Sequence, residues 1–192
     1  MKQLRKIALA GAALALAVTA IAYAPAPSFA AEQTKMVGGA AMYPSKNIVQ
    51  NAVNSKDHTT LVAAVRAAGL VDTLQSPGPF TVFAPTNEAF AKLPAGTVDT
   101  LLKPENKKTL TNVLTYHVVA GRMTAKDLME KVKAGGGKAE LTTVEGAKLT
   151  VAEKDGKLWI TDAKGGHAQV TIGNVMQSNG VIHVIDTVML PG

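Results

Sequence analysis

The stretch that most constrains the fold is residues 80–93, which read F-T-V-F-A-P-T-N-E-A-F-A-K-L. Residues 80–83 form a short run rich in aromatic and β-branched side chains, which is typical of a strand buried on both faces. Pro85 cannot continue a strand ladder, and Thr86 lies where a helix N-cap belongs. The sequence therefore predicts a buried strand, a sharp corner and a helix that packs back on the strand.

Residues 1–30 have the features of a removable export signal. A basic segment at residues 2–6 precedes an apolar run at residues 7–22, and residues 28–30 (Ser-Phe-Ala) supply the small residues of a cleavage site. A retained membrane anchor is the alternative, but the run is shorter than the roughly 20 apolar residues that a span requires. We expect cleavage near Ala30 and a secreted protein, periplasmic or extracellular, without a transmembrane anchor.

Cysteine content and charge exclude several classes of protein. The chain has no Cys, which excludes disulfides, thiol catalysis and cysteine metal sites. The formal net charge of +6 includes the three basic residues of the export signal. The remaining excess of positive charge is too small to indicate nucleic-acid binding.

The hydrophobic period changes at Gly135-Gly136-Gly137. Most apolar residues before it have helical spacing, whereas those after it alternate in short segments separated by turn residues, of which Asp155-Gly156 gives the clearest hairpin. This order predicts one α+β domain at residues 44–192, preceded by a flexible leader at residues 31–43. The strand candidates after the change are residues 140–144, 148–153, 157–161, 168–172 and 181–186.

The buried run near Phe80 and the last strand candidate near Val181 lie far apart in the sequence. Both are apolar and β-branched, as strands of a central sheet are. We hypothesise that they belong to one core, so that the chain closes on itself.

Three segments resemble the signatures of one family. T-V-F-A-P-T-N-E-A-F (residues 81–90), L-T-Y-H-V-V (residues 114–119) and N-G-V-I-H-V-I-D-T-V-M-L-P (residues 179–191) are similar to the fasciclin (FAS1) domain, in its bacterial secreted single-domain form. The resemblance implies a β-wedge of short, mostly antiparallel strands packed with an N-terminal set of helices. The residues that match the structural motifs are Thr81, Phe83, Pro85, Thr86, Asn87, Phe90, Asn179, Gly180, His183, Asp186 and Pro191.

The resemblance also implies a function outside the cytoplasm. Fasciclin domains are mostly adhesion or matrix-associated modules, and no catalytic activity is general to them. The expected partner is an extracellular protein, a matrix component or an envelope component. By their match to the family's Tyr-His segment, the expected partner-binding residues are Tyr116, His117, Leu114 and Val118.

The residues themselves predict how three of these side chains are placed. Tyr116 is expected to pack its ring and keep its hydroxyl at the surface. His117 ends an apolar helical face, which favours a core histidine over a ligand-contacting one. Asp186 is expected to be buried near the Pro85-Thr86 corner and to accept hydrogen bonds from backbone N–H groups there.

No motif indicates catalysis, a metal site or a cofactor. The serines do not occur in G-x-S-x-G, and the four histidines lack metal-binding spacing. The lysines at 126, 131, 133 and 138 are typical of a solvated face, although an anionic surface polymer is a further possible partner. The alternative to adhesion is a carrier of a small apolar ligand such as a pigment or lipid, since 47% of the residues are hydrophobic.

Overall fold

The computed structural model describes residues 34–192, so the predicted export signal and its cleavage site lie outside the described residues. Short 3-10 turns at Lys56–His58 and Pro104–Asn106 precede two of the helices. The strands are β1 (Lys35–Val37), β2 (Ala40–Met42), β3 (Phe80–Pro85), β4 (Val118–Ala120), β5 (Lys138–Thr142), β6 (Lys148–Lys154), β7 (Lys157–Thr161), β8 (His167–Gln177) and β9 (Gly180–Ile185). The helices are α1 (Ile48–Ala52), α2 (Thr59–Ala68), α3 (Val71–Gln75), α4 (Asn87–Ala91), α5 (Thr97–Leu102), α6 (Lys107–Tyr116) and α7 (Ala125–Ala134).

A seven-stranded sheet with the order β4-β3-β9-β8-β7-β6-β5 forms the centre of the fold. Its neighbouring strands are antiparallel except β3 and β9, which run parallel in a register from Phe80 opposite Gly180 to Pro85 opposite Ile185. The two distant apolar segments are therefore adjacent central strands. The hypothesis that they share one core is confirmed.

The predicted strand, corner and helix around Pro85 are also confirmed. Every residue of β3 after Phe80 is buried. Thr86 then caps α4, because its side chain accepts a hydrogen bond from the backbone N–H of Ala89 over 3.2 Å.

The strands after the glycine run follow the predicted alternation, with one long exception. Asp155 and Gly156 both have positive φ and connect β6 to β7 as a hairpin. β8 extends well beyond the predicted residues 168–172, and its pairing with β9 shifts register at two places. A strict period of two cannot be followed through such bulges.

The interpretation of residues 31–43 as a flexible leader is wrong for residues 35–42. These residues form the hairpin β1–β2, in which Gly38 and Gly39 make the turn with φ of +58° and +74°. Val37 and Met42 are buried in the core. The hairpin is ordered because it contributes apolar side chains to the interior.

The core lies on both sides of the central sheet. On one side, Val82 and Ala84 of β3 pack with α1, α2, α4 and α6; on the other, Phe83 packs with α7 and the strands β5 to β8. Strand alternation in β3 thus joins the two halves of the core. The predicted α+β class, with helices packed on a mostly antiparallel sheet, is confirmed.

Candidate functional site

The predicted partner-binding segment is buried. Tyr116 is 0% exposed, His117 2%, Leu114 5% and Val118 6%. The Tyr116 hydroxyl donates to the Lys148 carbonyl over 2.9 Å and accepts from the Ala163 N–H over 3.0 Å, and burial raises the pKa of Tyr116. The expectation of a surface hydroxyl is wrong, because the start of β6 and the β7–β8 turn cover it.

His117 is the core histidine that the sequence predicts. Its Nδ1 lies 2.7 Å from the Val113 carbonyl, and its Nε2 accepts from the Met189 N–H over 3.0 Å. Since a carbonyl can only accept and a backbone N–H can only donate, the ring is neutral with its proton on Nδ1. Burial lowers the pKa of His117 to about 4, which keeps the ring neutral at physiological pH.

An apolar pocket lies between the helices and β3. Its volume is about 70 Å³, and its walls include Leu61, Val65, Leu74, Val82 and Ile182. Leu114, His117 and Val118 also line it, whereas Tyr116 does not. Three of the four predicted binding residues therefore meet at one pocket and not at an outer surface.

Two ionisable side chains that the sequence analysis did not single out also line this pocket: His58 and Arg66. His58 is 3% exposed, and its Nδ1 lies 2.9 Å from the Ser55 hydroxyl. Its Nε2 is buried without a hydrogen bond of good geometry. Burial lowers the pKa of His58, and the Ala84 carbonyl and Asp57 oppose this effect. Arg66 lies on α2 and is exposed.

No local signal marks these two residues, because α1, α2, α3, α6, β3 and β9 together build the pocket. The contacts between these elements are long-range. Only the assembled fold places His58 and Arg66 beside the same apolar space.

The first signature holds the centre of the fold through side-chain bonds. The Thr81 hydroxyl donates to the Gly121 carbonyl over 2.6 Å and accepts from the Met123 N–H over 2.9 Å. The Asn87 amide accepts from the Thr60 N–H and donates to the Lys56 carbonyl. Phe90 is buried on the side of the sheet that packs against α1, α2 and α6. These residues are structural in this fold.

The last signature has the same kind of role. Asn179 donates to the carbonyls of Leu74 and Ser76 and accepts from the Ile48 N–H. His183 stacks on Phe83, with ring centroids 5.8 Å apart, and its Nε2 bonds the Met123 carbonyl. Of the remaining residues of this signature, Gly180 is buried and Pro191 is half-buried.

The expectation for Asp186 is wrong both in its burial, since the side chain is 39% exposed, and in its partner. Its carboxylate accepts from the Gln169 N–H over 2.8 Å and from the Thr187 hydroxyl, with Lys92 Nζ 3.5 Å away. The Thr86 N–H at the corner instead donates to the Ile185 carbonyl. The reason is that Asp186, directly after β9, pairs with Gln169 of β8.

Two hydroxyl–histidine contacts of 2.9 Å occur in residues 34–192, a buried one between Ser55 and His58 and an exposed one between Thr161 and His167. Ser55 is 2% exposed, and a Cβ at Gly38 would lie 2.3 Å from its hydroxyl oxygen. The β1–β2 turn therefore covers the hydroxyl. Within residues 34–192, no cluster of three His, Asp or Glu side chains could hold a metal ion, and no helix is long and apolar enough to cross a membrane.

Comparison with known proteins gives a consistent result. A family model described as the fasciclin domain matches residues 56–191. Protein sll1483 of Synechocystis sp. is 49% identical over 160 residues, which cover 83% of this chain and 82% of that protein. The cell surface glycolipoprotein MPB83 of Mycobacterium bovis is 33% identical over 168 residues, which cover 85% of this chain and 69% of that protein.

A solved structure is similar in fold. It is the FAS1 domain pair from the insect cell adhesion molecule fasciclin I, with a TM-score of 0.68 and 21% identity. The match covers 77% of this chain and 52% of that chain. This chain therefore spans about half of the solved pair, and the similarity concerns the fold alone.

Proposed function

The chain belongs to the fasciclin domain family, and from this premise we propose that it is an exported, non-enzymatic protein that acts in adhesion or in other interactions at a cell surface or matrix. The observation that carries the proposal is the family match over residues 56–191, since it covers most of the chain. A related protein is named as a cell surface glycolipoprotein, which supports the same location.

The buried Tyr-His segment changes how such contacts are made. Because Tyr116, His117, Leu114 and Val118 are all buried, they support the contact surface from within and do not meet a macromolecular partner directly. Substitutions in this segment are then expected to change binding only because they change the stability of the folded domain. The partner is an extracellular protein, a matrix component or an envelope component, and an anionic surface polymer is a further candidate.

The test is binding of the purified, fluorescently labelled protein to cells of the producing organism, to their isolated envelopes and to matrix-coated surfaces over a range of salt concentrations. We expect saturable binding to at least one of them. Tyr116→Phe is expected to bind normally wherever it is folded. Absence of saturable binding to all of them at every salt concentration would contradict the proposal.

A second candidate function, a carrier of an apolar ligand, is favoured by the pocket. Its walls are almost wholly apolar, as in small-molecule sites. The volume of about 70 Å³ is smaller than the ~150 Å³ cavity that holds benzene in another protein. The pocket therefore receives the end of a hydrocarbon chain, and the rest of a longer ligand lies outside it.

This second candidate is tested with a pair of variants on α2. Val62 lines the pocket and Ala63 beside it does not, so Val62→Phe fills the pocket and Ala63→Phe leaves it open. We expect an apolar compound to appear in the mass spectrum of an organic extract of protein purified from its native source. The compound should be lost from Val62→Phe and retained in Ala63→Phe. Equal retention in both variants, or no compound in the parent protein, would exclude the carrier.

A further inference from the structure

We propose that the pocket binds a single-chain anionic amphiphile, with its hydrocarbon end inside and its anionic head at Arg66. This inference rests on the second candidate function, the carrier of an apolar ligand. It goes beyond that function because it assigns the head group and the direction in which the ligand enters.

The first argument is the distribution of charge around the pocket. Among the described residues that line the pocket, Arg66 is the one that carries a full charge. His117 is neutral, since its Nδ1 and Nε2 are held by the Val113 carbonyl and the Met189 N–H. The interior of the pocket is therefore apolar, and the positively charged Arg66 lies on the solvent-exposed side of α2.

The second argument is that the Arg66 guanidinium has no partner within residues 34–192. The ion pairs of residues 34–192 do not include it, and it forms no hydrogen bond with a described residue. A guanidinium prefers a carboxylate or phosphate as a bidentate partner. An anionic head at the entrance therefore satisfies a donor group that the described part of the chain leaves open.

The residues around Arg66 also favour a negatively charged head group. Thr73 of α3 also lines the pocket and is exposed, so its hydroxyl is available to a head group. Lys107 Nζ lies close to Gly69, at the end of the same helix as Arg66. Asp72 is the acidic residue beside Thr73, but it forms no ion pair with Arg66.

The third argument is the small volume of the pocket. A pocket of about 70 Å³ accommodates only part of a chain, so the affinity for a hydrocarbon alone is limited by the small apolar area that it buries. A charged contact at the entrance adds to that affinity and fixes the orientation of the ligand. A fatty acid and an alkyl phosphate share this chemistry, and an alcohol of equal chain length lacks it.

The experiment measures direct binding of three twelve-carbon compounds to the delipidated protein by isothermal titration calorimetry. Dodecanoate, dodecyl phosphate and dodecanol are compared below their micelle concentrations. We expect at least one of the two anions to bind about tenfold or more tightly than dodecanol, as one charge-assisted contact allows. Which anion binds more tightly separates a carboxylate head from a phosphate head.

The matched variants are Arg66→Gln and Lys131→Gln, which remove the same charge. Lys131 is exposed on α7 and does not line the pocket. Arg66→Gln should abolish the preference for the anion and leave dodecanol binding unchanged, whereas Lys131→Gln should change neither. Equal affinities for the alcohol and the anions, or an equal loss in the two variants, would overturn the head-group assignment while leaving the carrier function in place. Failure of all three compounds to bind would overturn both.

Discussion

The backbone N–H of Met189 donates a hydrogen bond to Nε2 of His117 over 3.0 Å, although 72 residues separate them. The opposite ring nitrogen bonds the Val113 carbonyl one turn earlier in α6. The ring therefore joins the end of α6 to the segment that follows β9. Only the neutral ring can make both bonds, since protonated Nε2 would face the N–H of Met189.

This bond makes the stability dependent on pH. The pKa of His117 is lowered from 6.5 to about 4 in the folded protein. Between these two values the unfolded chain takes up a proton that the folded protein does not, so stability falls as the pH falls from 6.5 towards 4. The difference corresponds to a loss of about 3 kcal/mol. Burial also lowers the pKa values of His58 and His183, which act in the same direction.

The measurement is urea unfolding at several pH values from 4 to 8. His117→Gln should be less stable than the parent at pH 8 and should lose less stability on acidification. His167→Gln is the control, because His167 is exposed, and its stability should follow the parent at every pH. An unchanged acid dependence in His117→Gln would contradict the assignment.

A second prediction concerns the Tyr116 hydroxyl. Tyr116→Phe leaves the Lys148 carbonyl and the Ala163 N–H without their buried partner. The expected cost is about 1–3 kcal/mol in the free energy of unfolding, measured by urea denaturation. Tyr43→Phe is the matched control, since Tyr43 is 41% exposed, and it should change stability little. A neutral Tyr116→Phe would show that this hydroxyl does not hold the β7–β8 turn.

A third prediction concerns Asn179, which is 5% exposed. Asn179→Ala removes three bonds at once and leaves the carbonyls of Leu74 and Ser76 and the Ile48 N–H without their side-chain partner. We expect a loss of about 2–4 kcal/mol from the removal of several buried hydrogen bonds.

The melting temperature of Asn179→Ala is measured by thermal unfolding monitored with circular dichroism. Asn112→Ala on the exposed face of α6 serves as the reference and should melt within a few degrees of the parent. Similar melting temperatures for the two variants would refute a joining role for Asn179.

The elements that the sequence predicts well are those with strong local chemistry. Thr86 has a cap position after a proline, and Asp155-Gly156 has the residues of a two-residue hairpin turn, so each determines its own geometry. The pairing of β3 with β9 is predictable for another reason. Both runs are apolar enough to require burial on both faces.

The elements that the sequence does not predict depend on tertiary contacts. The hairpin β1–β2 has a Gly-Gly turn signal, but strands of three residues are stable only because Val37 and Met42 pack into the core. The candidate site is a stronger case. Leu114 and Val118 can be placed on an apolar segment from the sequence, but nothing local indicates that Arg66 lies beside the same pocket.

The last prediction tests the central strand pair at a single atom. Gly180 begins β9 opposite Phe80, and a Cβ at Gly180 would lie 2.2 Å from the Phe80 carbonyl oxygen. That oxygen belongs to the backbone of a central strand, so it cannot move aside as the end of a flexible side chain can. Gly180→Ala must therefore push β9 away from β3, and we expect a loss of about 3 kcal/mol or more in the free energy of unfolding.

Gly156→Ala separates this steric effect from backbone strain. Gly156 has a φ of +72°, and a Cβ at this position would have no described atom within 4 Å, so alanine there is strained but meets no neighbour. Its expected cost is about 1–2 kcal/mol. If Gly180→Ala costs no more than Gly156→Ala in urea unfolding, β3 and β9 are not packed as closely as the structure has them. The helices on one side of the sheet and α7 on the other both pack against β3 and β9. Separation of these two strands in Gly180→Ala should therefore also lower the cooperativity of unfolding of the whole domain.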